Sequence, residues 1–339
     1  MNNKRSLNRF IGAFWAVICV LLLLGLGLAM NVLLLPEETL PGETTLPATE
    51  PTDLPTDPTV PALSIPEITL TARHSFVYIP ETGQFLMLKG EEDDKIYPAS
   101  LTKLFSTYVA LLHMDPAETV TVGNEVNTVS ADSSIAGLRP GDRLTVKQLV
   151  EAMLLPSGND AAVVLAVAMG RKLENNPQMS YTAAKARFVE EMNRWARTLG
   201  LTGTHFENPD GYHNENHYTT CRDVQKIGQM ALTNKTIRQA MVTQKVVVDL
   251  QYDYPGGWKN TNLLIQPSSE HYNPAAIGMK TGYTRAAGYC LMSAFRLEGK
   301  TLMVGVFGCP ESNDRFTDAN AVYDAYRKGT AEAGGYFLQ

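Results

Sequence analysis

The hydrophobic pattern divides this chain into three regions. Residues 11–35 are apolar except for Asn31, and this length suffices to span a bilayer. Residues 36–66 alternate recurrent prolines with Thr, Glu and Asp, a composition that cannot build a core and predicts an extended linker. Over residues 67–335 apolar and polar positions recur periodically, which predicts one globular domain followed by a short tail at 336–339.

Two periodicities recur inside the predicted domain. Alternation with a period of two predicts strands at 74–79, 84–89, 245–250, 276–280, 289–296 and 302–307. Helical spacing predicts helices at 100–112, 145–155, 159–168, 181–199, 223–232 and 314–328. The order of hairpin, helices, hairpins and helix predicts an α+β fold, in which helices cover an antiparallel sheet and a helical subdomain is inserted.

The charges on either side of residues 11–35 predict how the chain meets a membrane. Residues 1–10 contain three basic side chains, and no Lys or Arg follows until Arg73. Positive charge favours the cytoplasmic side, so we expect residues 1–10 in the cytoplasm and the domain on the extracytoplasmic face. The alternative is a cleaved signal peptide, whose apolar region normally has only ~7–15 residues. The segment therefore predicts an uncleaved, single-pass transmembrane helix in the cell membrane.

Composition excludes some classes of protein. The net charge of −6 argues against a nucleic-acid partner.

Cys19 lies in the predicted anchor, which leaves Cys221, Cys290 and Cys309 for the domain. An odd number outside the cell means that at least one thiol is unpaired or paired between chains. We expect packing roles for these cysteines rather than a disulfide framework or catalysis.

The tetrapeptide SLTK at residues 100–103 carries the first candidate chemistry. Pro98 suits a helix start, and on the helix that follows Ser100 and Lys103 are neighbours at i and i+3. A serine hydroxyl becomes a nucleophile when a base takes its proton. A lysine one turn away can be that base if burial or a second cation lowers its pKa. The pattern is short and occurs by chance in many proteins, so it needs further support.

Two later stretches supply that support. Residues 155–162 read LPSGNDAA and residues 278–284 read GMKTGYT. The chain thus contains Ser-x-x-Lys, Ser-x-Asn and Lys-Thr-Gly in this order, which is typical of penicillin-binding proteins and class A β-lactamases. With YPASLTK at 97–103 and NPDG at 208–211, residues 67–335 resemble the serine-type D-alanyl-D-alanine carboxypeptidases, the low-molecular-mass penicillin-binding proteins of peptidase family S11. The resemblance implies a β-lactamase/DD-peptidase-like fold.

The resemblance also implies catalytic roles. Ser100 is expected to be the acylated nucleophile, Lys103 its base, and Ser157 a relay that passes a proton toward the leaving amine. The backbone N–H groups of Ser100 and Tyr283 are expected to form an oxyanion hole, because two such donors stabilise a tetrahedral intermediate. Lys280 is a second cation, which disfavours a charged Lys103.

Substrate-binding roles follow from the same resemblance. Asn159 is expected to bind the peptide amide of the substrate, and Lys280 to supply positive charge in the cleft. Thr281 is expected to hydrogen-bond the terminal carboxylate, since an anion calls for a cation and a hydroxyl donor. Gly282 lets the substrate backbone approach the strand closely. Tyr283, the next residue, is expected to bind the substrate as well.

The function implied is removal of the terminal D-alanine from peptidoglycan stem peptides, with β-lactam antibiotics as covalent inhibitors. No cofactor is implied, and the cytoplasmic membrane is a partner through the N-terminal helix. The alternatives that remain open are a D,D-endopeptidase, a serine β-lactamase, and a catalytically silent sensor that binds muropeptides or β-lactams. An intact nucleophile and base favour the enzyme, because a binding protein needs neither.

A zinc site is the rival interpretation of one stretch. His213, His217 and Cys221 stand at i, i+4 and i+8, a spacing that would suit one face of a metal-binding helix. The preceding residues 208–211 predict a loop instead. We therefore expect no metal site, and a structural role for His217.

Overall fold

The computed structural model of the protein describes residues 63–248 and 257–332. The predicted anchor at 11–35 and most of the predicted linker lie outside these residues, as does the tail at 336–339. Within the described ranges, no helix is both long and apolar enough to cross a membrane.

A five-stranded antiparallel sheet in the order β2-β1-β9-β8-β7 forms the centre of the described fold. The strands are β1 (His74–Ile79), β2 (Gln84–Lys89), β3 (Thr119–Thr121), β4 (Arg143–Thr145), β5 (Lys245–Val246), β6 (Trp258–Lys259), β7 (Ala276–Thr284), β8 (Gly288–Leu297) and β9 (Lys300–Cys309). The first hairpin pairs with β9, near the end of the domain, so the whole helical subdomain is an insertion between β2 and β7. The predicted α+β architecture is confirmed.

The helices supply most of the inserted subdomain. They are α1 (Thr102–Leu111), α2 (Val146–Leu154), α3 (Asn159–Leu173), α4 (Tyr181–Thr198), α5 (Cys221–Thr233), α6 (Lys235–Val242) and α7 (Asp314–Glu332). Side-chain caps begin several of them, and Thr145 with Gln148 forms a full capping box at α2. A 3-10 turn, Ala99–Leu101, precedes α1 where the sequence predicts the first turn of the helix itself.

Some predicted boundaries are wrong. The strand predicted at 245–250 pairs only at β5, because its partner β6 is two residues long. Residues 247–248 are outside any strand, and 249–250 lie outside the described residues. Helix α6 was not predicted, although Asn234 caps it by accepting hydrogen bonds from two backbone N–H groups.

The two faces of the sheet bury different cores because side chains alternate along each strand. In β1, Phe76 packs with the helical subdomain, whereas its neighbour Val77 packs against α7. In the same way Met292 of β8 faces the inserted helices and Leu291 faces α7. Each of these side chains is fully buried, and burying one contributes about 1.5–3 kcal/mol.

Helix α1 lies at the centre of the helical subdomain and contacts α2 through α6. Its apolar stripe, which includes Leu104 and Phe105, is fully buried. Its polar face is buried too, and each group there has a partner. Thr102 Oγ1 lies 2.8 Å from His217 Nε2, and Ser106 Oγ donates to the Pro209 carbonyl at 2.5 Å. The polar face of α1 is thus fixed against the loop at 208–217.

Candidate active site

The first motif stands where the 3-10 turn joins α1. Ala99 has a φ of 49°, which turns the chain sharply just before Ser100. Lys103 follows one turn later, and its Nζ lies 2.7 Å from Ser100 Oγ. The predicted neighbours are therefore in hydrogen-bond contact, with the lysine on the buried side of the serine.

Lys103 is fully buried and is held by three acceptors. Its Nζ donates to Ser100 Oγ, to Asn159 Oδ1 and to the Asp210 backbone carbonyl, each at 2.7 Å. Burial lowers the pKa of Lys103 to about 8, against the opposing charges of Asp210 and Asp160. A neutral amine is therefore accessible near neutral pH, and only the neutral amine can accept the serine proton.

The second motif connects α2 to α3. Ser157 has a φ of 66°, and α3 begins two residues later at Asn159. The Asn159 amide donates to Ser133 Oγ at 3.0 Å while its oxygen accepts from Lys103. The buried Asp160 carboxylate fixes the facing loop by accepting from the backbone N–H groups of Ala136, Gly137 and Leu138. The second motif thus orients its own amide and the loop beside it.

The third motif lies on β7, an edge strand of the sheet. Lys280 is buried, and its Nζ donates to Ser157 Oγ at 2.9 Å and to the Thr281 carbonyl at 2.8 Å. Burial lowers the Lys280 pKa well below its usual value, and repulsion from Lys103 and Arg315 adds to this. Thr281 Oγ1 lies 2.6 Å from Thr261 Oγ1. The lysine amine and the threonine hydroxyl are thus presented from one strand.

Gly282 brings this edge strand against the turn that carries Ser100. A methyl group on Gly282 would lie 3.2 Å from Ser100 N and 3.1 Å from the Pro98 carbonyl, tighter than side chains normally pack. A side chain at this position would require the turn at Ser100 and β7 to move apart by a few tenths of an ångström. The Tyr283 side chain is 52% exposed and stacks on Tyr289 across the β7–β8 pair, with ring centroids 4.3 Å apart.

Backbone strain marks all three motifs. Ala99 before Ser100, Ser157 itself and Met279 before Lys280 are non-glycine residues with φ values of 49°, 66° and 101°. Such conformations cost of order 1–3 kcal/mol each and persist where the surrounding structure imposes them. Hydrogen bonds link the motifs that contain these residues: Lys103 contacts Ser100 and Asn159, and Lys280 contacts Ser157. The structure therefore brings together all the motif side chains that the sequence singles out.

Several contacts of the site were missed by the sequence analysis. Ser133, Thr261 and the Asp210 carbonyl each hold a motif side chain, but their positions follow only from long-range packing. Arg315 on α7 was missed as well. Its guanidinium donates to the Gly282 carbonyl at 3.3 Å and lies over the Tyr289 ring. No local sequence motif identifies it.

His217, a residue of the rival zinc interpretation, is in contact with other protein groups. The Glu207 backbone N–H donates to His217 Nδ1, so His217 Nε2 carries the proton and donates to Thr102. Burial lowers the His217 pKa to about 3, which keeps this link neutral. In the part of the chain that the structure describes, no three His, Cys, Asp or Glu residues are grouped to hold a metal. Three described cysteines, Cys221, Cys290 and Cys309, are buried free thiols.

Comparison with known proteins agrees with this geometry. A family model described as D-alanyl-D-alanine carboxypeptidase, Peptidase S11, matches residues 61–311. The D-alanyl-D-alanine carboxypeptidase of Streptomyces sp. strain K15 is 33% identical over 272 residues, which cover 77% of this chain and 89% of that protein. The crystal structure of the Streptomyces K15 DD-transpeptidase superposes with a TM-score of 0.68 at 30% identity, covering 77% of this chain and 99% of that one.

Other relatives are longer than this chain. The D-alanyl-D-alanine carboxypeptidase DacF of Bacillus subtilis is 27% identical over 262 residues, and DacC of Escherichia coli is 30% identical over 244. These matches cover 76% and 69% of this chain. They span only 62% of DacF and 56% of DacC.

Proposed function

We propose that this chain removes the terminal D-alanine from peptidoglycan stem peptides, because it belongs to the D-alanyl-D-alanine carboxypeptidase family. The reaction passes through an acyl-enzyme at Ser100. The observation that carries this proposal is the buried Lys103 Nζ, 2.7 Å from Ser100 Oγ, with its pKa lowered to about 8. A hydroxyl beside a buried amine of this kind is an activated nucleophile.

In the acylation step neutral Lys103 takes the Ser100 proton as Oγ attacks the scissile carbonyl. The developing oxyanion is received by the backbone N–H groups of Ser100 and Tyr283, on the turn and the strand that meet at Gly282. The C–N bond then breaks and the acyl group stays on Ser100. Ser157 passes the proton that Lys103 took from Ser100 on to the departing nitrogen. D-Alanine therefore leaves as a free amine, which takes up a further proton from water.

The other end of the substrate is fixed by its carboxylate. Lys280 offers an ammonium group and Thr281 a hydroxyl, which together match a terminal carboxylate. A carboxylate within contact distance raises the lowered pKa of Lys280 and so restores its charge. Asn159, held between Lys103 and Ser133, is left to orient the peptide amide before the scissile bond.

Deacylation separates a carboxypeptidase from a β-lactamase. When D-alanine departs it opens a path for water, which Lys103 activates as it activated the serine. Penicillin also acylates the serine, but its leaving group stays tethered and shields the ester. We therefore expect turnover with the peptide and only very slow release of hydrolysed penicillin. β-Lactams act on this enzyme as covalent inhibitors.

Transfer of the acyl group to an amine is the second candidate. The observation that favours it is the structural match to a protein described as a DD-transpeptidase. The two reactions share acylation at Ser100 and differ only in whether water or an amine accepts the acyl group. A glycine or diamino-acid acceptor added to the assay separates them, because transfer yields a new peptide in addition to D-alanine.

The test is an assay of the purified full-length chain with a stem pentapeptide, followed by D-alanine quantification. Turnover is expected, and Ser100→Ala is expected to abolish it. Rapid hydrolysis of penicillin without D-alanine release would replace the carboxypeptidase with a β-lactamase. Stable binding of penicillin or muropeptide without turnover of either would instead identify a sensor.

The location of the enzyme is part of the same proposal. Residues 11–35 form the membrane anchor and place the catalytic domain on the extracytoplasmic face, as the charge asymmetry predicts. Protease added to intact spheroplasts is expected to release a fragment that begins in the linker at 36–66. A catalytic domain protected under these conditions would contradict the topology.

A further inference from the structure

Two exposed side chains meet at the rim of the active site. The Tyr212 hydroxyl donates to Asp132 Oδ1 at 3.2 Å, and both residues are exposed. Asp132 belongs to the loop between β3 and β4, whereas Tyr212 follows the NPDG stretch 80 positions later. No motif includes either residue, and the mechanism above assigns neither a role.

Both loops are fixed directly to the catalytic groups. Next to Asp132, Ser133 accepts from the Asn159 amide at 3.0 Å. On the other loop, the Tyr212 N–H donates to Asp210 Oδ1 at 2.8 Å while the Asp210 carbonyl accepts from Lys103. The contacts form a closed path around Lys103, and the Asp132–Tyr212 pair is its outermost link.

Gly211 fixes the second loop against the nucleophile turn. It has a φ of 82°, and a methyl group there would lie 1.8 Å from the Ala99 carbonyl oxygen. This approach requires glycine, because a Cβ at that distance overlaps the carbonyl. Tyr212, the next residue, therefore has its backbone position set by the turn that carries Ser100.

The position of the pair relates it to one half of the substrate. Lys280 and Thr281 take the terminal carboxylate in the proposed reaction, and Asn159 takes the amide before the scissile bond. Asn159 is in contact with Ser133, the neighbour of Asp132, so the pair lies on the side of the site where the proposed reaction places the acyl donor. A substrate bound in this way would direct the side chain of the residue before D-alanyl-D-alanine toward this rim.

The pair has the chemistry of a cation receptor. No basic side chain among the described residues forms an ion pair with Asp132, and its Oδ2 accepts no hydrogen bond from them. Tyr212 is 41% exposed, and its hydroxyl end contacts that carboxylate. A carboxylate next to an aromatic ring attracts an ammonium group through both charge and the ring quadrupole.

We infer that Asp132 and Tyr212 form a specificity subsite for a cationic side chain, such as the free amine of a diamino acid, on the residue that precedes D-alanyl-D-alanine. The inference rests on the proposed function and identifies which stem peptides that function prefers. Because the pair is exposed, its contribution is that of a solvated charge contact, a preference of about fivefold in kcat/KM.

The experiment compares three peptides that differ only in one side chain. Nα-acetyl-L-lysyl-D-alanyl-D-alanine is used with its side-chain amine free, acetylated or succinylated, on the purified full-length chain. The wild type is expected to prefer the free amine about fivefold, mainly through KM. Asp132→Asn is expected to remove the preference, and Asp132→Lys to reverse it toward the succinylated peptide. Tyr212→Phe keeps the ring and is expected to retain part of the preference, which Tyr212→Ala loses.

Controls separate this subsite from general effects of charge and folding. Asp324→Asn removes a negative charge from α7, where Asp324 is exposed and forms an ion pair with Arg327, and is expected to keep the wild-type preference. Thermal midpoints check that each variant is folded. Equal kcat/KM for the three peptides, unchanged by Asp132→Lys, would overturn the subsite and leave the carboxypeptidase intact. No D-alanine release from any of them would overturn the function and the subsite together.

Discussion

The cleft contains two buried lysines in opposite surroundings. Lys103, in the nucleophile pocket, is held by three oxygen acceptors and lies near the charges of Asp210 and Asp160. Lys280, in the carboxylate pocket, donates to one hydroxyl and one carbonyl, and the charges that affect its pKa are the cations Lys103 and Arg315. Burial lowers the pKa of both, but carboxylates offset it only at Lys103.

This difference suits the two lysines to the two tasks that the proposed reaction gives them. The partly compensated Lys103 keeps a pKa of about 8, so it can give up a proton and take one back within a catalytic cycle. Lys280 lacks a neighbouring anion, and in the proposed reaction the substrate carboxylate would supply it. Binding of substrate would then complete the surroundings of Lys280, whereas those of Lys103 are complete without it.

Removing the base is expected to have the largest effect. Lys103→Met leaves Ser100 without a proton acceptor, so acylation by penicillin and peptide turnover should each fall about a thousandfold. The rate of formation of the penicillin adduct measures this loss. Lys147→Met is the matched control, because that lysine is exposed on α2 and pairs with Glu151. A Lys103→Met enzyme that acylates within tenfold of the wild-type rate would show that another group is the base.

Removing the second lysine should separate the two pockets. Lys280→Ala is expected to lower kcat/KM for the pentapeptide about a hundredfold, because the terminal carboxylate loses its cation. A peptide with an amidated C-terminus should be equally poor for the wild type, and Lys280→Ala should make it no poorer. Lys235→Ala, at the exposed start of α6, is the control. If amidation of the peptide and Lys280→Ala each lower kcat/KM and the two reductions multiply when combined, Lys280 does not contact the carboxylate.

The pH dependence distinguishes burial from charge as the cause of the low Lys103 pKa. The base must be neutral, so acylation should rise with pH, roughly fiftyfold between pH 6 and pH 8, and level off above the Lys103 pKa of about 8. Burial is the leading cause of that pKa, and Lys280 is not among its causes. The midpoint should therefore stay near 8 in Lys280→Ala. A midpoint that moves up by a full unit would restore the interpretation that the second cation lowers the Lys103 pKa.

The smallest effect is expected at a hydroxyl that supports the carboxylate pocket. Thr261→Val removes the 2.6 Å contact with Thr281, so the Thr281 hydroxyl is free to rotate. A neutral hydrogen bond of this kind contributes about 1 kcal/mol, so kcat/KM for the peptide should fall about fivefold. The ascending limb of the pH profile should stay in place. A larger loss in kcat than in 1/KM would show that Thr261 acts in the chemical step.

The sequence predicts the motif residues because their chemistry is local. Ser100 and Lys103 are one helical turn apart, and Lys280 to Gly282 follow one another on a strand, so spacing alone brings them together. The convergence of the three motifs does not follow from spacing. It depends on β1 pairing with β9 and on β7 reaching the turn at Ser100, which are long-range contacts.

Glycine explains two wrong boundaries. The strand predicted at 276–280 is shorter than the observed β7, which continues through Gly282. Gly282 forms no turn there; it allows the strand to lie close to the turn at Ser100. The predicted helix at 159–168 likewise stops before α3 ends. There Gly170 packs against α4, where a methyl group would lie 1.9 Å from the Ala184 carbonyl oxygen. In both cases a residue that usually ends an element instead permits tight packing.

Mapping the penicillin adduct tests the central claim most directly. The full-length chain is treated with penicillin, digested, and analysed by mass spectrometry beside Ser100→Ala. The account predicts one stable mass increase of a single penicillin, located on the peptide that contains Ser100 and absent from the variant. An adduct on another residue, or one that survives Ser100→Ala, would contradict the assignment of the nucleophile and of Lys103 as its base.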